Sequence, residues 1–529
     1  MTAVTGAPAR YRPPRSARLS PAAAGRLLRL ELRRNAMSWV LPLLALLFWF
    51  DTYRRSTVMP PLWTVRSMSM QWRAMFEFLP FAAGVAAWMG SREGRRRITD
   101  LVGVTARPRW ARQLAIWTAT TCWAVGVYLG CAAVLYGVTA AKATWGGPLW
   151  WPLAVGATCI AAVTALGFAA GTLLPSRFTP PVAVVVVLVL LVVADPVVTT
   201  RYEAYGRLSP LPTNTLAGGL GIFYPFAADI SIVQMMFYGG IAVALLGALG
   251  LPAAAGGGRL RGAAAVVTLA GLAAAGTGYG LAGTSYPTDH GAVVPGLHNA
   301  ASDKPVGYTP ACSRGGAAVP VCLHPALSSY LPALTAALDP LLSEVAGLPG
   351  GPARVTQAAG AGQPRVPVVF GKPALAGVIS GSPPVLYLNV VVPVDTNSYT
   401  TADFTGPLQS QAAMTIMSSV VGVGAGGADA KGAAGGGPGA AAPVGSPAQQ
   451  AIAEALVQAA GIPLGTPGGP RQGRQRPEPP IALVMPPAGS AASAAVQRFA
   501  ALPAATRHVW LAAHLPALRA GHVTLAQIP

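Results

Sequence analysis

The chain has 529 residues, of which 53% are apolar and only 10% charged, and its formal net charge is +20. An ordinary soluble domain carries about 25% charged residues, so this balance excludes one and points to a protein embedded, at least in part, in a membrane. The positive charge does not point to nucleic acid: residues 1–284 hold 25 Lys and Arg against 8 Asp and Glu, while residues 285–529 hold 12 against 9, so the excess lies beside the hydrophobic segments, where it sets topology and meets anionic lipid.

The first 35 residues are too polar for the apolar core of a signal peptide. Ser20-Pro21 reads as a helix start, with Ser as N-cap and Pro at the first helical position. Leu27, Leu28, Leu30 and Leu32 then alternate with Arg26, Arg29, Arg33 and Arg34, which predicts a helix lying on the inner membrane surface over 21–36. A plain charged flank to the first span is the simpler reading of the same residues. Seven apolar stretches follow, roughly 37–53, 71–90, 114–140, 150–174, 181–199, 230–251 and 263–284. Each is near the ~20 residues that a bilayer needs. Trp39, Trp49 and Tyr53 would anchor the first at the interface, and the fifth has no polar residue between Val182 and Asp195.

The arginines set the orientation. Eight lie in the tail up to Arg34 and seven in the loop 91–113; Arg177 lies in 175–180, and Arg259 and Arg261 in 252–262. These four regions fall on one side of a seven-span chain. The loops 141–149 and 200–229 are poorer, and 51–70, with Arg54, Arg55 and Arg66, is the exception. The weight of the pattern puts residues 1–36 in the cytoplasm and the half beyond the seventh span outside. Two carboxyl groups, Glu77 and Asp195, fall near the outer ends of their spans. They either mark a substrate route or reach interfacial water. The loop 200–229 is too apolar for a solvated connection, which predicts a helical hairpin dipping into the outer leaflet over 208–229.

After Thr284 the character changes. Residues 285–310 read as a linker. The leucine spacing from Leu327 to Val345 predicts an amphipathic helix over 325–345, and 365–370 and 385–392 read as strands. Residues 422–447 are a Gly, Ala and Pro insertion predicted to be disordered, with helices resuming at 448–460, 489–502 and 503–520. Cys312 and Cys322 flank a Gly-containing loop, a spacing that suits either a disulfide in an oxidising compartment or two unlinked thiols. The fold class expected is thus an α-helical polytopic membrane protein of about seven spans (37–284), followed by a small α+β extracytoplasmic domain (285–529).

Several chemistries are not encoded. There is no phosphate loop, so any ATP-driven role needs a separate ATPase. The six histidines all follow residue 285, yet no His-Glu-x-x-His occurs; Gln409, Gln411, Met414 and Met417 stand where a zinc peptidase would need His and Glu. A nucleophile elbow is missing too. No catalytic residue, metal or cofactor is predicted, and a degenerate membrane peptidase is set aside.

The most informative segment is the loop 91–113. It holds seven arginines within 22 residues, running Ser91-Arg92-Glu93-Gly94-Arg95-Arg96-Arg97-Ile98-Thr99-Asp100-Leu101 and then Thr105-Ala106-Arg107-Pro108-Arg109. That order resembles the loop by which permeases of the ATP-binding-cassette type 2 exporter family contact their ATPase. An interfacial helix at 21–36 and a re-entrant hairpin at 208–229 resemble the same family, while the seventh span and the outer domain depart from its basic pattern. The resemblance implies a permease subunit of an exporter, working as a homodimer or with a second permease, in the bilayer, with a separate ATPase subunit. It assigns coupling to Arg92, Glu93, Arg96, Ile98, Asp100, Leu101, Arg107 and Pro108. The alternative is a membrane-anchored sensor or scaffold whose outer domain binds an envelope partner.

Overall fold

A computed structural model describes residues 21–95, 109–211, 221–253, 258–288, 291–358, 377–390, 399–423, 445–462, 487 and 489–529. Arg96, Ile98, Asp100, Leu101, Arg107 and Pro108 lie outside these residues, as do the strand expected over 365–370 and most of the 422–447 insertion.

Helix α1 (Pro21–Arg33) leads into α2 (Met37–Val58) through a bend of 55°. Asn35 makes the break. Its Oδ1 accepts from the Met37 amide at 2.9 Å, and its Nδ2 donates to Thr120 Oγ1 at 2.9 Å. A side chain that caps a backbone amide competes with helix continuation, so the single element expected over 21–36 ends before residue 36.

Helices α3 (Trp63–Gly90) and α4 (Arg92–Arg95) follow, then α5 (Arg109–Ala140), α6 (Trp150–Leu173), α7 (Thr179–Thr199), α8 (Asp229–Ala253) and α9 (Gly258–Thr284). The five helices α5 to α9 are long and apolar enough to cross a membrane, and the bent α1–α2 pair makes a sixth if it counts as one span. The sequence led to about seven; the difference lies at α3. That helix carries Arg66 and Arg73 in its first half and Glu77 at its middle, and 20 of its 28 residues are buried.

Small residues bring these helices together. On α6, Gly167 and Gly171 lie against the backbone carbonyls of Ala83 and Ala87 on α3, leaving no room for a Cβ. On α8 and α9, Gly240 and Gly271 face one another in the same way, and Gly247 meets the backbone of Thr268. This is the packing expected where apolar solvent gives no net drive for helices to associate and van der Waals fit decides. Helix α7 is the opposite case: Val185, Val189, Val192 and Val193 are all exposed on the bundle surface.

One end of the bundle gathers α1, α4 and the turn between α6 and α7. The other end carries the α/β domain. Between them, β1 (Tyr286–Thr288) and β2 (Gly291–Val293) form an antiparallel hairpin over part of the stretch expected as a linker. The domain's sheet has five strands in the order β3 (Ala311–Cys312), β4 (Val321–Leu323), β5 (Arg354–Gln357), β7 (Val385–Leu388), β6 (Val378–Ser380). Strands β4, β5 and β7 are parallel, and the two edge strands are antiparallel to their neighbours. The helices are α10 (Leu331–Val345), α11 (Thr401–Ile416), α12 (Pro447–Ala459), α13 (Ala491–Ala501) and α14 (Ala504–Arg519). The leucine spacing is explained by burial: Leu327, Leu334, Leu338, Leu341 and Leu342 are at most 1% exposed. Capping boxes at Thr400 with Asp403 and at Ser446 with Gln449 start α11 and α12. Buried Arg507 on α14 pairs with Glu344 on α10.

The domain core does not stop at the domain. Met59 and Leu62, just before α3, Val65, in its first turn, and Ile222, Phe223 and Tyr224, before α8, belong to the same continuous apolar cluster. Of the membrane-dipping hairpin expected over 208–229, residues 212–220 lie outside the described residues; 207–211 and 221–228 are turns, bends and irregular chain, Leu208 and Leu211 pack with the bundle, and Ile222, Phe223 and Tyr224 pack under the sheet domain.

Candidate functional site

Of the predicted coupling residues, Arg92 and Glu93 are described. Arg92 Nη2 donates to both carboxylate oxygens of Glu31 on α1 at 3.2 Å. The Trp123 indole donates to the Leu32 carbonyl at 2.9 Å, holding α1 on α5. Beside Arg92, the Arg95 guanidinium lies over the Trp88 ring at 3.6 Å. Gly94 abuts Pro175 so closely that a Cβ there would enter the proline ring. Glu93 shares the short α4 with them. The first turn of the basic segment is thus gripped by α1 on one side and by the α6–α7 turn on the other.

The two carboxyl groups singled out from the sequence, Glu77 and Asp195, sit apart, each beside a π-helical turn that sequence periodicity gave no sign of. Because α3 begins at Trp63 rather than near 71, Glu77 lies at its middle, 8% exposed. Its Oε1 accepts from Thr52 Oγ1 at 2.8 Å, and Thr52 belongs to the π turn Trp49–Tyr53 of α2. Its Oε2 has no partner among the described residues. The same turn presents Asp51 to Arg55 at 3.1 Å and to Arg73 at 3.6 Å. Asp195 follows the second π turn, Leu190–Ala194 of α7, and hydrogen-bonds Ser209. A π turn adds one residue to a helical turn, shifts the side chains that follow, and often marks a functional site. Here it turns polar groups inward in two helices that otherwise read as plain spans.

The junction between bundle and domain is the third place, and sequence reasoning missed it. His324, 1% exposed, is enclosed by Trp145 from the α5–α6 loop, Phe223 from the loop before α8, and Tyr308, at ring centroid distances of 4.9, 5.2 and 4.3 Å. His324 Nδ1 accepts from the Ala326 amide at 3.2 Å, which places the proton of the neutral ring on Nε2. Nε2 has no partner among the described residues. Burial pushes the imidazole down to a pKa of about 4. The Val306 amide donates to the Phe223 carbonyl at 2.7 Å, and Thr144 Oγ1 to the Pro325 carbonyl at 2.7 Å. A second tie joins the hairpin to α8: Asp229 accepts from the Val294 amide at 2.9 Å and from His298 Nδ1 at 2.8 Å, and His298 Nε2 reaches Asp303 at 3.2 Å. The hydrogen bonds to Asp303 and Asp229 raise the pKa of His298.

Within the domain, Cys312 and Cys322 face one another across the antiparallel β3–β4 pair with their sulfurs at bonding distance, 2.06 Å. Gln411 exchanges two hydrogen bonds of 3.0 Å with the backbone of Asn389, and Gln409 donates to the Ala337 carbonyl at 2.8 Å. The amides that stand in the place of peptidase ligands tie α11 to β7 and α10. His508 faces the Glu344 carbonyl and His514 the Trp510 carbonyl. Compared with family models, curated proteins and solved structures, the chain gives no significant match.

Proposed function

We propose that the chain is the membrane-spanning permease subunit of an ATP-driven exporter, worked by a separate ATPase of the ATP-binding-cassette type. In this reading α1, α4 and the arginine-rich residues after them face the cytoplasm, and the α/β domain lies outside. The Cys312–Cys322 pair supports an oxidising location for that domain. The observation that carries the proposal is the grip on the basic segment. A free loop would transmit no work, whereas Arg92, tied to Glu31, and Gly94, seated on Pro175, would pass a push on residues 91–113 into α1, α3 and α7. Glu77 and Asp195, at their π turns, are candidate points on the substrate route.

The test is purification of the full chain from its native host with any ATPase that accompanies it, beside the variant Ile98→Pro. The segment Glu93 to Leu101 is expected from its sequence to be helix-compatible, and a proline inside a helix costs about 3 kcal/mol, so the variant should insert normally and lose the ATPase. Full retention of transport by Ile98→Pro, or no ATPase accompanying the wild type, would overturn the proposal. The shared core of bundle and domain favours one other reading, a membrane-anchored sensor or scaffold, and the second of those outcomes would put it first.

A further inference from the structure

One cysteine of the Cys312–Cys322 bridge lies open and the other is shut in. Cys312 is exposed, on the two-residue edge strand β3, whereas Cys322 on β4 is 2% exposed. Cys312 also lines an open cleft of about 520 Å³ between the loop 313–317 and the first turns of α10, where Leu331, Thr335 and Asp339 form the far wall. The cleft carries one cation, Arg314, and one anion, Asp339, so it repels neither sign of partner. Gly315 and Gly316, at φ +24° and +101°, turn the loop, and a Cβ on either would meet nothing within 4 Å. A nucleophile can approach Cys312 from this side without entering the core, and disulfides that are exposed in this way are the labile ones.

The bridge fastens an edge that has few other fastenings. Strand β3 has a single neighbour, while β4 also pairs with β5 and buries Val321 and Leu323 in the domain core. Opening the bridge therefore leaves β4 seated. The chain before β3 is placed differently. Four residues upstream of Cys312, Tyr308 packs on His324 and Phe223, at ring centroid distances of 4.3 and 5.7 Å, and the Val306 amide donates to the Phe223 carbonyl. At the far end the Ser313 amide donates to the Val321 carbonyl at 2.8 Å. Residues 306–313 are thus a strap across the bundle–domain junction, and the bridge is its covalent fastening.

We propose that Cys312–Cys322 is a site of thiol–disulfide exchange with a protein dithiol, and that its reduction frees the strap 306–313 from the junction. A thiolate of the partner attacks the Cys312 sulfur; the S–S bond breaks, and Cys322 leaves as a thiolate and takes a proton. The partner's second thiol then displaces Cys312 from the mixed disulfide. The chain gains two electrons and two protons, and the dithiol is oxidised to a disulfide. Access sets the direction, since attack at Cys322 would need the incoming thiol inside the core. The site does not depend on the ATPase.

The oxidised full chain, folded in detergent, is incubated with reduced glutathione, a monothiol that stops at the mixed disulfide. The reaction is quenched with acid, free thiols are alkylated, and the adducts are mapped by mass spectrometry. We expect glutathione on Cys312 in about ten-fold or greater excess over Cys322, because access separates the two sulfurs. A second sample is kept reduced with dithiothreitol and followed by hydrogen exchange. The peptide 306–313, whose Val306 and Ser313 amides are bonded in the oxidised chain, should exchange about ten-fold faster, with β4, β5 and α10 unchanged. The pair Cys312→Ser and Cys322→Ala should give the same pattern without reductant. Glutathione on Cys322, no adduct until the chain unfolds, or a reduced chain whose strap exchanges no faster would overturn the proposal. Loss of protection across the whole domain would overturn it too, by making the bridge a staple of the core.

Discussion

His324 shows what one buried ring can do at a junction. In the folded chain its pKa is about 4, against 6.5 for an exposed imidazole. Between these two values the unfolded chain binds a proton that the folded chain refuses. Stability at this site is therefore intact above pH 6.5 and falls as the pH drops toward 4. At about 1.4 kcal/mol per pKa unit, the loss approaches ~3 kcal/mol. We predict that the full chain in detergent unfolds at a lower temperature at pH 4.5 than at pH 7.5, and that His324→Asn, which keeps a capping side chain for Ala326, removes most of that difference. An unchanged pH profile in the variant would assign the acid sensitivity elsewhere. Some residues were legible from sequence and this one was not. The Cys312–Cys322 spacing foretold a bridge as one of two readings because two cysteines flanking a Gly-containing loop are local. His324 sits among Trp145, Phe223 and Tyr308, which come from three separate parts of the chain, and no local pattern brings them together.

Elements with a strong period were read well, and elements defined by contact were not. The leucines of 327–342 follow the helical repeat and line the domain core, and the valines of α7 advertise an apolar span. The π turns in α2 and α7 leave the composition of those helices untouched, so nothing in the residue order announced them. Gly167-x-x-x-Gly171 was visible, yet its meaning depends on Ala83 and Ala87 of another helix. The glycines offer a paired test. Gly271 faces the backbone of α8, whereas a Cβ on Gly276, one and a half turns further along α9, would meet nothing within 4 Å. Gly271→Val should separate α8 from α9 and destabilise the protein by about 1–3 kcal/mol, as overpacking does. Gly276→Val should be close to neutral. Thermal unfolding of the two variants in detergent checks this, and equal effects would show that helix propensity rather than packing governs the hairpin.

At the scale of the whole molecule, residues 222–224 of the hairpin expected over 208–229 pack beneath the domain, and composition could not foretell it for a physical reason. Residues that dip into lipid and residues that pack beneath a domain have the same composition, and only the fold separates them. Ile222, Phe223 and Tyr224, with Met59, Leu62 and Val65, complete the domain core from outside the domain. We therefore predict that residues 285–529 expressed alone do not form the native packed state. The fragment should be readily digested by protease and lack near-ultraviolet dichroism, and a protease-resistant fragment would refute this. The same arrangement constrains biosynthesis. The ribosome delivers Met59 to Val65 long before the sheet exists, and Ile222 to Tyr224 follow while the domain is still unmade. These six side chains must wait at the bundle surface, uncovered, until Leu327, Leu341 and Val355 arrive to enclose them. Such long waits over chain distance slow assembly and expose apolar surface meanwhile. The bundle is thus the template on which the domain is cast, and a ribosome stalled between residues 230 and 320 would leave a membrane protein with an open, adhesive crown.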